Sequence, residues 1–406
     1  PMEVPENGSH DGVFNMNPKE FNYMNLHLLQ RSVHSYNGKT FAELIHGGRC
    51  MIRTDIPLLG ASDSEYQGRH VKGMDAKDME EVIALCVEFA HQARRSGFDG
   101  IMMHFAHGWL FHDFLSPLSN HRADEFGGSV ENRCRFPLMA LKAVREVIGD
   151  DLLIELRLNG NDEMEGGITP EDAAQQALIF QDYADMIHIT CSTRLDVTSR
   201  PRMTPTSFFP TEHNAYASAI VKNTPGVRIP IGAVGAIGNP ERAEKLLEDG
   251  KADYLLIARA AIADNDWVNK VKAGREEDIR PCLRCNLCLD HGRRKSKIQG
   301  KELVMASEVS FDRMCAVNPL SMQGAVKNRF PAPARRKKIV VVGGGVAGMN
   351  AALSAANRGH EVLLYEKTDK LGGQALLSDG MWFKKEMKAY HEWLERQVRK
   401  NPNIFV

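Results

Sequence analysis

From Lys39 to Arg259 short apolar runs alternate with longer stretches of helical periodicity. The runs are TFAELIH, FDGIMMHF, LLIELRL, DMIHIT, IPIGAVG and YLLIAR. Near-continuous apolar segments bounded by turn residues read as strands buried on both faces. Between them, residues 76–96, 129–148, 170–183 and 240–249 carry apolar positions at helical spacing. Thr169 stands before Pro170 and Asn239 before Pro240, good N-caps each followed by a proline suited to the first turn. Strands alternating with helices predict βα units and a parallel sheet. The pattern makes six such units, preceded by a helix over about residues 18–36 with no strand of its own in front. A closed (β/α)8 barrel needs two more strands, and the Pro-, Asn- and Gly-rich residues 1–17 offer none. The expectation is an α/β fold over residues 1–275: a TIM-type barrel lacking its first strands.

The pattern then changes. Residues 276–330 hold Cys282-x2-Cys285-x2-Cys288 and, behind a charged filler, Cys315 in CAVNP. From Lys337 the run KKIVVVGGGVAGMNAALSAANRGHEVLLYEK reads as strand, glycine turn, helix and strand. Gly343-x-Gly345-x2-Gly348 would bring a pyrophosphate to the helix N-terminus, with Glu366 on a ribose hydroxyl. Residues 331–406 therefore read as the start of a Rossmann-like FAD/NAD(P)-binding domain, cut short at its C-terminal side.

Composition narrows the classes. The chain has 406 residues, 43% of them hydrophobic, and a formal net charge of −1. That balance gives no electrostatic case for nucleic acid or an acidic membrane surface. The longest apolar window, residues 339–356, is interrupted by glycines and is explained by the strand–turn–helix reading. No secretory pattern opens the sequence, so a cytoplasmic location is expected. Of eight cysteines, Cys50, Cys86, Cys134 and Cys191 are scattered through apolar contexts as small core residues. The other four cluster, which in a reducing compartment points to metal or redox chemistry. Four thiolates at this spacing suit a [4Fe–4S] cluster or a tetrahedral zinc ion. The spacing alone leaves the two nearly even.

The segment GFDGIMMHFAHGWLFHDFLSPLSNHRADEFGGSVENRCRFPLMALKAVREVIG resembles the Old Yellow Enzyme superfamily. The likeness is to its long branch of 2,4-dienoyl-CoA reductase, 2-enoate reductase and trimethylamine dehydrogenase. It continues through AELIHGGR, IELRLNG, VGAIGNPERAEKLLEDGKADYLLIAR, the cysteines and the final GGGVAG with LGGQ. The resemblance implies an FMN-bearing barrel, a [4Fe–4S] cluster held by Cys282, Cys285, Cys288 and Cys315, then FAD- and NAD(P)H-binding domains. It implies that Gly235 and Arg259 hold the FMN phosphate and that Arg157 lies beside the N1/O2 edge of the flavin ring. Glu43 stands where relatives carry a flavin-binding Gln, and a carboxylate accepts from the ring N3–H without donating to its oxygens. Gly372 and Gly373 continue the FAD site.

His104 and His107 match a pair that hydrogen-bonds a substrate carbonyl and so polarises a conjugated C=C for hydride transfer. Read from spacing alone, the same residues are buried histidines or an H-x2-H metal half-site. Trp109 occupies the position of a proton-donating Tyr, and an indole N–H is no practical acid. The resulting expectation is an NAD(P)H-dependent reductase of an enoate, enoyl-CoA or enone, with electrons relayed through FAD and the cluster to FMN. The partner is then a small molecule with a conjugated C=C, and a homo-oligomer is compatible. Two rivals remain: an amine dehydrogenase, for which Trp109 is one wall of a cage, and a non-catalytic fragment whose incomplete barrel exposes sheet edges.

Overall fold

The computed structural model describes residues 23–51, 57–289, 295–298, 301–304, 315–321 and 333–406. The expected features at residues 1–22 and most of the filler between Cys288 and Cys315 lie outside that set. The chain divides into two compact units. The first takes in residues up to Met203, with Glu212–Gly235 and Glu244–Leu256. The second comprises Thr204–Thr211, Ala236–Ala243 and Ile257–Val406.

The first unit is built on six parallel strands. They are β1 (Phe41–Leu44), β5 (Gly100–Phe105), β6 (Leu153–Asn161), β7 (Met186–Cys191), β8 (Ile231–Val234) and β9 (Tyr254–Leu256), paired in that order. Each overlaps one of the six apolar runs, with β6 continuing past LLIELRL to Asn161 and β7 past DMIHIT to Cys191. Their sheet curls as a partial barrel with β1 and β9 at its edges among the described residues. Helices Ala76–Arg95, Val130–Ile148, Pro170–Phe180 and Ala215–Lys222 intervene. The first is closed by a reciprocal capping box between Asp75 and Asp78, the third by one between Thr169 and Asp172 with Pro170 in the first turn. Between β1 and β5 the chain forms a three-stranded sheet, β2 (Leu58–Gly60), β3 (Ser64–Tyr66) and β4 (Arg69–Gly73), which the hydrophobic pattern did not announce.

Strand alternation decides what the barrel holds. Ile101, Met103, Phe105, Ile154, Leu156, Leu158, Ile187 and Ile189 are fully buried in the core beneath the helices. Phe105, Phe111, Phe114, Phe136 and Phe180 form a chain of ring contacts there. Residues one position away point to the other face, and these are largely polar. A buried ion pair pins the segment after β1 to helix Leu110–Leu115: Arg49 Nε lies 2.5 Å from Asp113 Oδ1, and Asp113 Oδ2 accepts from Arg49 Nη2 at 3.0 Å and from the Ala61 N–H at 2.8 Å.

The second unit has a hairpin, β10 (Lys295–Ile298) with β11 (Lys301–Val304), and a parallel sheet of β12 (Lys338–Val342), β13 (Glu361–Tyr365) and β14 (Ile404–Phe405). Helix Val346–Asn357 crosses from β12 to β13, and helix Lys385–Lys400 leads to β14. Met349, Ala352, Ala356, Val362, Leu364, Leu394 and Val398 are among its core residues. A Cβ on Gly348 would lie 1.8 Å from the Gly343 carbonyl oxygen, so the helix starts this close to the turn only with glycine there. Gly348→Ala is expected to lower stability by about 1–3 kcal/mol through forced separation of turn and helix. Calorimetry of the second unit's transition checks this, and an unchanged Tm would contradict it.

Candidate active site

One row of paired Cα positions crosses the first unit's sheet: His104 of β5, Arg157 of β6, His188 of β7, Gly232 of β8 and Tyr254 of β9. Glu155 and Asn159 share the Arg157 face, and Thr190 shares that of His188, by the period of two. The lower part of this face is a closed polar cluster. Glu155 Oε1 accepts from the Tyr254 hydroxyl at 2.8 Å and pairs with His188 Nδ1 at 2.9 Å. Gly232 makes room for it, since a Cβ there would meet the Tyr254 ring at 2.5 Å. Burial pushes the Glu155 carboxyl up, but the His188 hydrogen bond and charge outweigh it and hold it low.

Above it runs a four-membered chain. His104 Nδ1 is 2.8 Å from Glu43 Oε1, His104 Nε2 is 3.1 Å from His107 Nδ1, and His107 Nε2 is 2.9 Å from Thr190 Oγ1. Burial disfavours charge on His104, whose pKa falls to about 3 against the opposing pull of Glu43, and on His107, which lies well below the usual imidazole range. Burial raises Glu43, but the His104 hydrogen bond and the charges of His104 and Arg157 prevail and hold it at about 2. An ionised carboxylate only accepts. The direction of the chain follows: His104 Nδ1–H donates to Glu43, His107 Nδ1–H to His104, and the Thr190 hydroxyl to His107. All four ring nitrogens are thereby used.

The loop carrying His107 is held from below. His107 adopts φ 65° and Gly108 φ 82°, and a histidine in the left-handed region is uncommon. The Gly108 N–H donates to His112 Nδ1 at 3.0 Å, which directs the His112 Nε2–H to Asp162 Oδ1 at 2.8 Å. Asp162 also accepts from Asn159, Ser116 and the Ile168 N–H. Burial raises its pKa, but the interaction with His112 and these bonds keep it low. The Trp109 ring meets His104 edge-on at 6.2 Å, and its face is covered by the Arg194 guanidinium, 4.3 Å from the centroid.

Arg157 is half-buried, with Nε enclosed and without a hydrogen-bond partner among the described residues. Desolvation weakens its hold on the proton while Glu43 and Glu155 support it. An orphaned guanidinium nitrogen on the inner face fits the electron-rich edge of a bound flavin ring. Gly235, directly after β8, has φ 129°, and a Cβ there would strike the Asn214 side chain at 2.9 Å. Glycine is therefore required at this turn both for its backbone conformation and for the packing of Asn214 against it.

The buried neutral imidazoles set a pH dependence. His46 accepts the Gly48 N–H on Nδ1 at 3.1 Å, and burial drives its pKa to about 3. His46 and His104 titrate near 6.5 when unfolded, so the unfolded chain takes up protons first as pH falls. Stability is therefore full above about pH 6.5 and is lost progressively towards pH 3. Glu43, depressed to about 2, adds a loss of the same sign below its unfolded value near 4.3. A Tm series between pH 7 and pH 5 is expected to fall steadily; a flat series would count against neutral buried histidines.

In the second unit Cys282, Cys285, Cys288 and Cys315 line one small cavity together with Arg259. All four are free thiols. The Arg284 N–H approaches Cys282 Sγ at 3.4 Å, and burial pushes that thiol up to about 11 against the pull of this bond and of Arg259. Arg259 opens helix Arg259–Ala263, its guanidinium donating to the Pro205 carbonyl at 3.0 Å and to Asn286 Oδ1 at 2.5 Å. Among the described residues no three cysteines, histidines or carboxylates are placed to hold a single metal ion. Thiols around a shared space with a cation and a backbone donor nevertheless fit the chemistry of an iron–sulfur cluster.

The dinucleotide turn is formed by close glycine contacts. Gly343 has φ 101°, Gly345 bridges Gly372, and the Gly372 N–H donates to the Gly344 carbonyl at 2.8 Å. Gly373 has φ 55° and its added Cβ would sit 3.0 Å from Gly345 Cα. Glu366, expected on a ribose, accepts here from the Gly344 N–H at 2.7 Å. The two glycine segments leave backbone N–H groups at a helix start, the cradle a pyrophosphate needs.

Residues 8–278 match the NADH:flavin oxidoreductase / NADH oxidase family. The chain belongs to this family. Residues 338–400 match the FAD dependent oxidoreductase family. The NADH oxidase of Thermoanaerobacter brockii is 34% identical over 91% of this chain and 55% of its own length. The N,N-dimethylglycine/sarcosine dehydrogenase of Chromohalobacter salexigens is 32% identical over 86% of this chain and 49% of its own. A solved 2-naphthoyl-CoA reductase superposes with a TM-score of 0.81 at 26% identity, covering 95% of this chain and 59% of that one. The chain thus spans about half the length of the curated relatives it matches. In this flavin oxidoreductase no described helix is long and apolar enough to cross a membrane.

His188, Glu155, Thr190 and Tyr254 were not singled out from the sequence. Parity was the available signal, since Glu155 lies two residues before Arg157 and Thr190 two after His188.

Proposed function

We propose that the chain is the catalytic part of a flavin-dependent reductase of activated C=C bonds, working on a small enoate, enoyl-CoA or enone. Bound FMN would supply hydride to the alkene, with FAD and a [4Fe–4S] cluster supplying electrons drawn from NAD(P)H. Arg157 and Gly235 would hold the FMN, Cys282, Cys285, Cys288 and Cys315 the cluster, and the glycines at 343, 345, 348, 372 and 373 the FAD. The His104–His107 pair orients the substrate carbonyl, which takes over one of the hydrogen bonds in the chain from Glu43 to Thr190. Trp109 walls the site and supplies no proton.

The observation that carries this reading over amine oxidation is the stacking of Arg194 on Trp109. The aromatic face that a cationic amine would use is already covered by a cation. Anaerobic purification with spectra and iron and sulfide assays tests the cofactor set. Dithionite-reduced protein is then mixed with enoates, enones and tertiary amines. Reoxidation by an alkene is the expected result; flavin reduction of the oxidised protein by an amine would overturn it.

A further inference from the structure

Arg284 and Arg259 both stand by the four cysteines of the second unit, and they differ in how their charge is met. Arg284 is buried, and Glu386 matches its charge while the Phe209 and Pro210 carbonyls accept from its Nη1. Arg259 lines the thiol cavity itself, with Cys282, Cys285, Cys288 and Cys315. It donates to two neutral oxygens, the Pro205 carbonyl at 3.0 Å and Asn286 Oδ1 at 2.5 Å. No carboxylate forms an ion pair with it among the described residues. Asn286 lies between Cys285 and Cys288 at φ 59°, and its Nδ2–H donates to the Thr204 carbonyl at 2.9 Å. Neutral groups thus hold Arg259 in place, and its positive charge reaches the thiols undiminished. A half-buried cation is costly to keep there unless an anion shares the space.

We propose that Arg259 is the counter-charge of a redox cluster bound by these thiols and that it sets the cluster's reduction potential. Thiolates on an iron–sulfur core make an anion, and the electron accepted on reduction adds to its negative charge. A fixed cation beside it stabilises the reduced form more than the oxidised one, because attraction grows with the charge opposed. Arg259 therefore raises the potential and makes the cluster easier to reduce. The family resemblance implied the FMN phosphate for this residue; here it serves the cluster instead. This role rests on the iron–sulfur reading of the cysteines.

The test is a redox titration of the full, anaerobically purified chain with dithionite, followed by the paramagnetic resonance of the reduced cluster. Iron, sulfide and FMN are measured on each sample. Arg259→Gln should make reduction at least about tenfold less favourable, a midpoint lower by about 59 mV for one electron, and should keep its FMN. Arg259→Lys retains the charge and should stay close to the wild type. Asn286→Asp reaches the same end by another route, since a carboxylate in place of the amide neutralises Arg259 where it stands. Aspartate also tolerates φ 59°. This variant should lower the midpoint too, and it decides the matter if Arg259→Gln loads poorly with iron. An unmoved midpoint in the loaded variants, or a lysine variant shifted as far as the glutamine one, would overturn the role. Loss of FMN from Arg259→Gln at an unchanged midpoint would also overturn it and return the residue to the phosphate. Zinc without sulfide in the wild type would remove the cluster reading itself, and this role with it.

Discussion

Replacing His107 by alanine is expected to lower the rate of alkene reduction about 10²–10³-fold, the usual loss when one positioned donor to a developing oxyanion is removed. The imidazole is the third member of the chain from Glu43 through His104 to Thr190. Its removal leaves His104 Nε2 without its 3.1 Å partner as well. Backbone strain is the confounding effect, because the residue sits at φ 65°. Asparagine tolerates that region well and still donates a hydrogen bond. His107→Asn should therefore recover much of the lost rate, while His107→Ala should not. Stopped-flow reoxidation of dithionite-reduced protein separates this from substrate binding, read in parallel by calorimetry. Equal rates for the wild type and both variants would show that the pair does not polarise the substrate. Glu43→Gln should have a smaller effect, since an amide oxygen can still accept from His104 Nδ1–H; its action is positional, and a shifted pH profile rather than a dead enzyme is its signature.

The six barrel strands were legible because their helix-covered face carries Ile, Leu, Met and Phe in short runs between turn residues, and the capped helices because Thr169–Pro170 is a local signal. The β2–β4 sheet was not, since SEY and RHVKG are short and polar and owe their pairing to their neighbours. The site was legible in part. His104, His107 and Arg157 stand out as polar residues inside or just after apolar strands. Their partners do not, because Thr190 reaches His107 across 83 positions of sequence and Tyr254 reaches Glu155 across 99. Glu43 illustrates the limit most clearly. Its place in the pattern suggested a contact with the flavin ring and its carboxylate type spoke against one; its side chain is joined to His104 in a pairing that only the β1–β5 register brings about. Arg194 had no motif at all, and its importance comes from lying over Trp109.

The second large effect is expected at the cysteines. Cys282→Ser should reduce iron and acid-labile sulfide to near zero while leaving the flavin of the first unit in place. The two readouts belong to different compact units, each with its own core. Cys282 is the informative choice because it is half-buried, accepts the Arg284 N–H and lies against the same cavity as Cys285, Cys288 and Cys315. A serine hydroxyl keeps the size and the hydrogen bond but is a poor ligand for a soft iron centre. Arg284 supplies a control. Its guanidinium donates to the Phe209 carbonyl at 2.8 Å and forms an ion pair with Glu386, so substitution there should loosen the cysteine loop without removing a ligand. Iron content should then fall partly for Arg284→Gln and wholly for Cys282→Ser. Reduction of the first unit's flavin by dithionite should survive in both, because that reductant reaches it without a relay. Wild-type iron and sulfide in Cys282→Ser would remove this residue from the ligand set, and stoichiometric zinc without sulfide in the wild type would replace the electron-carrying cluster with a structural metal.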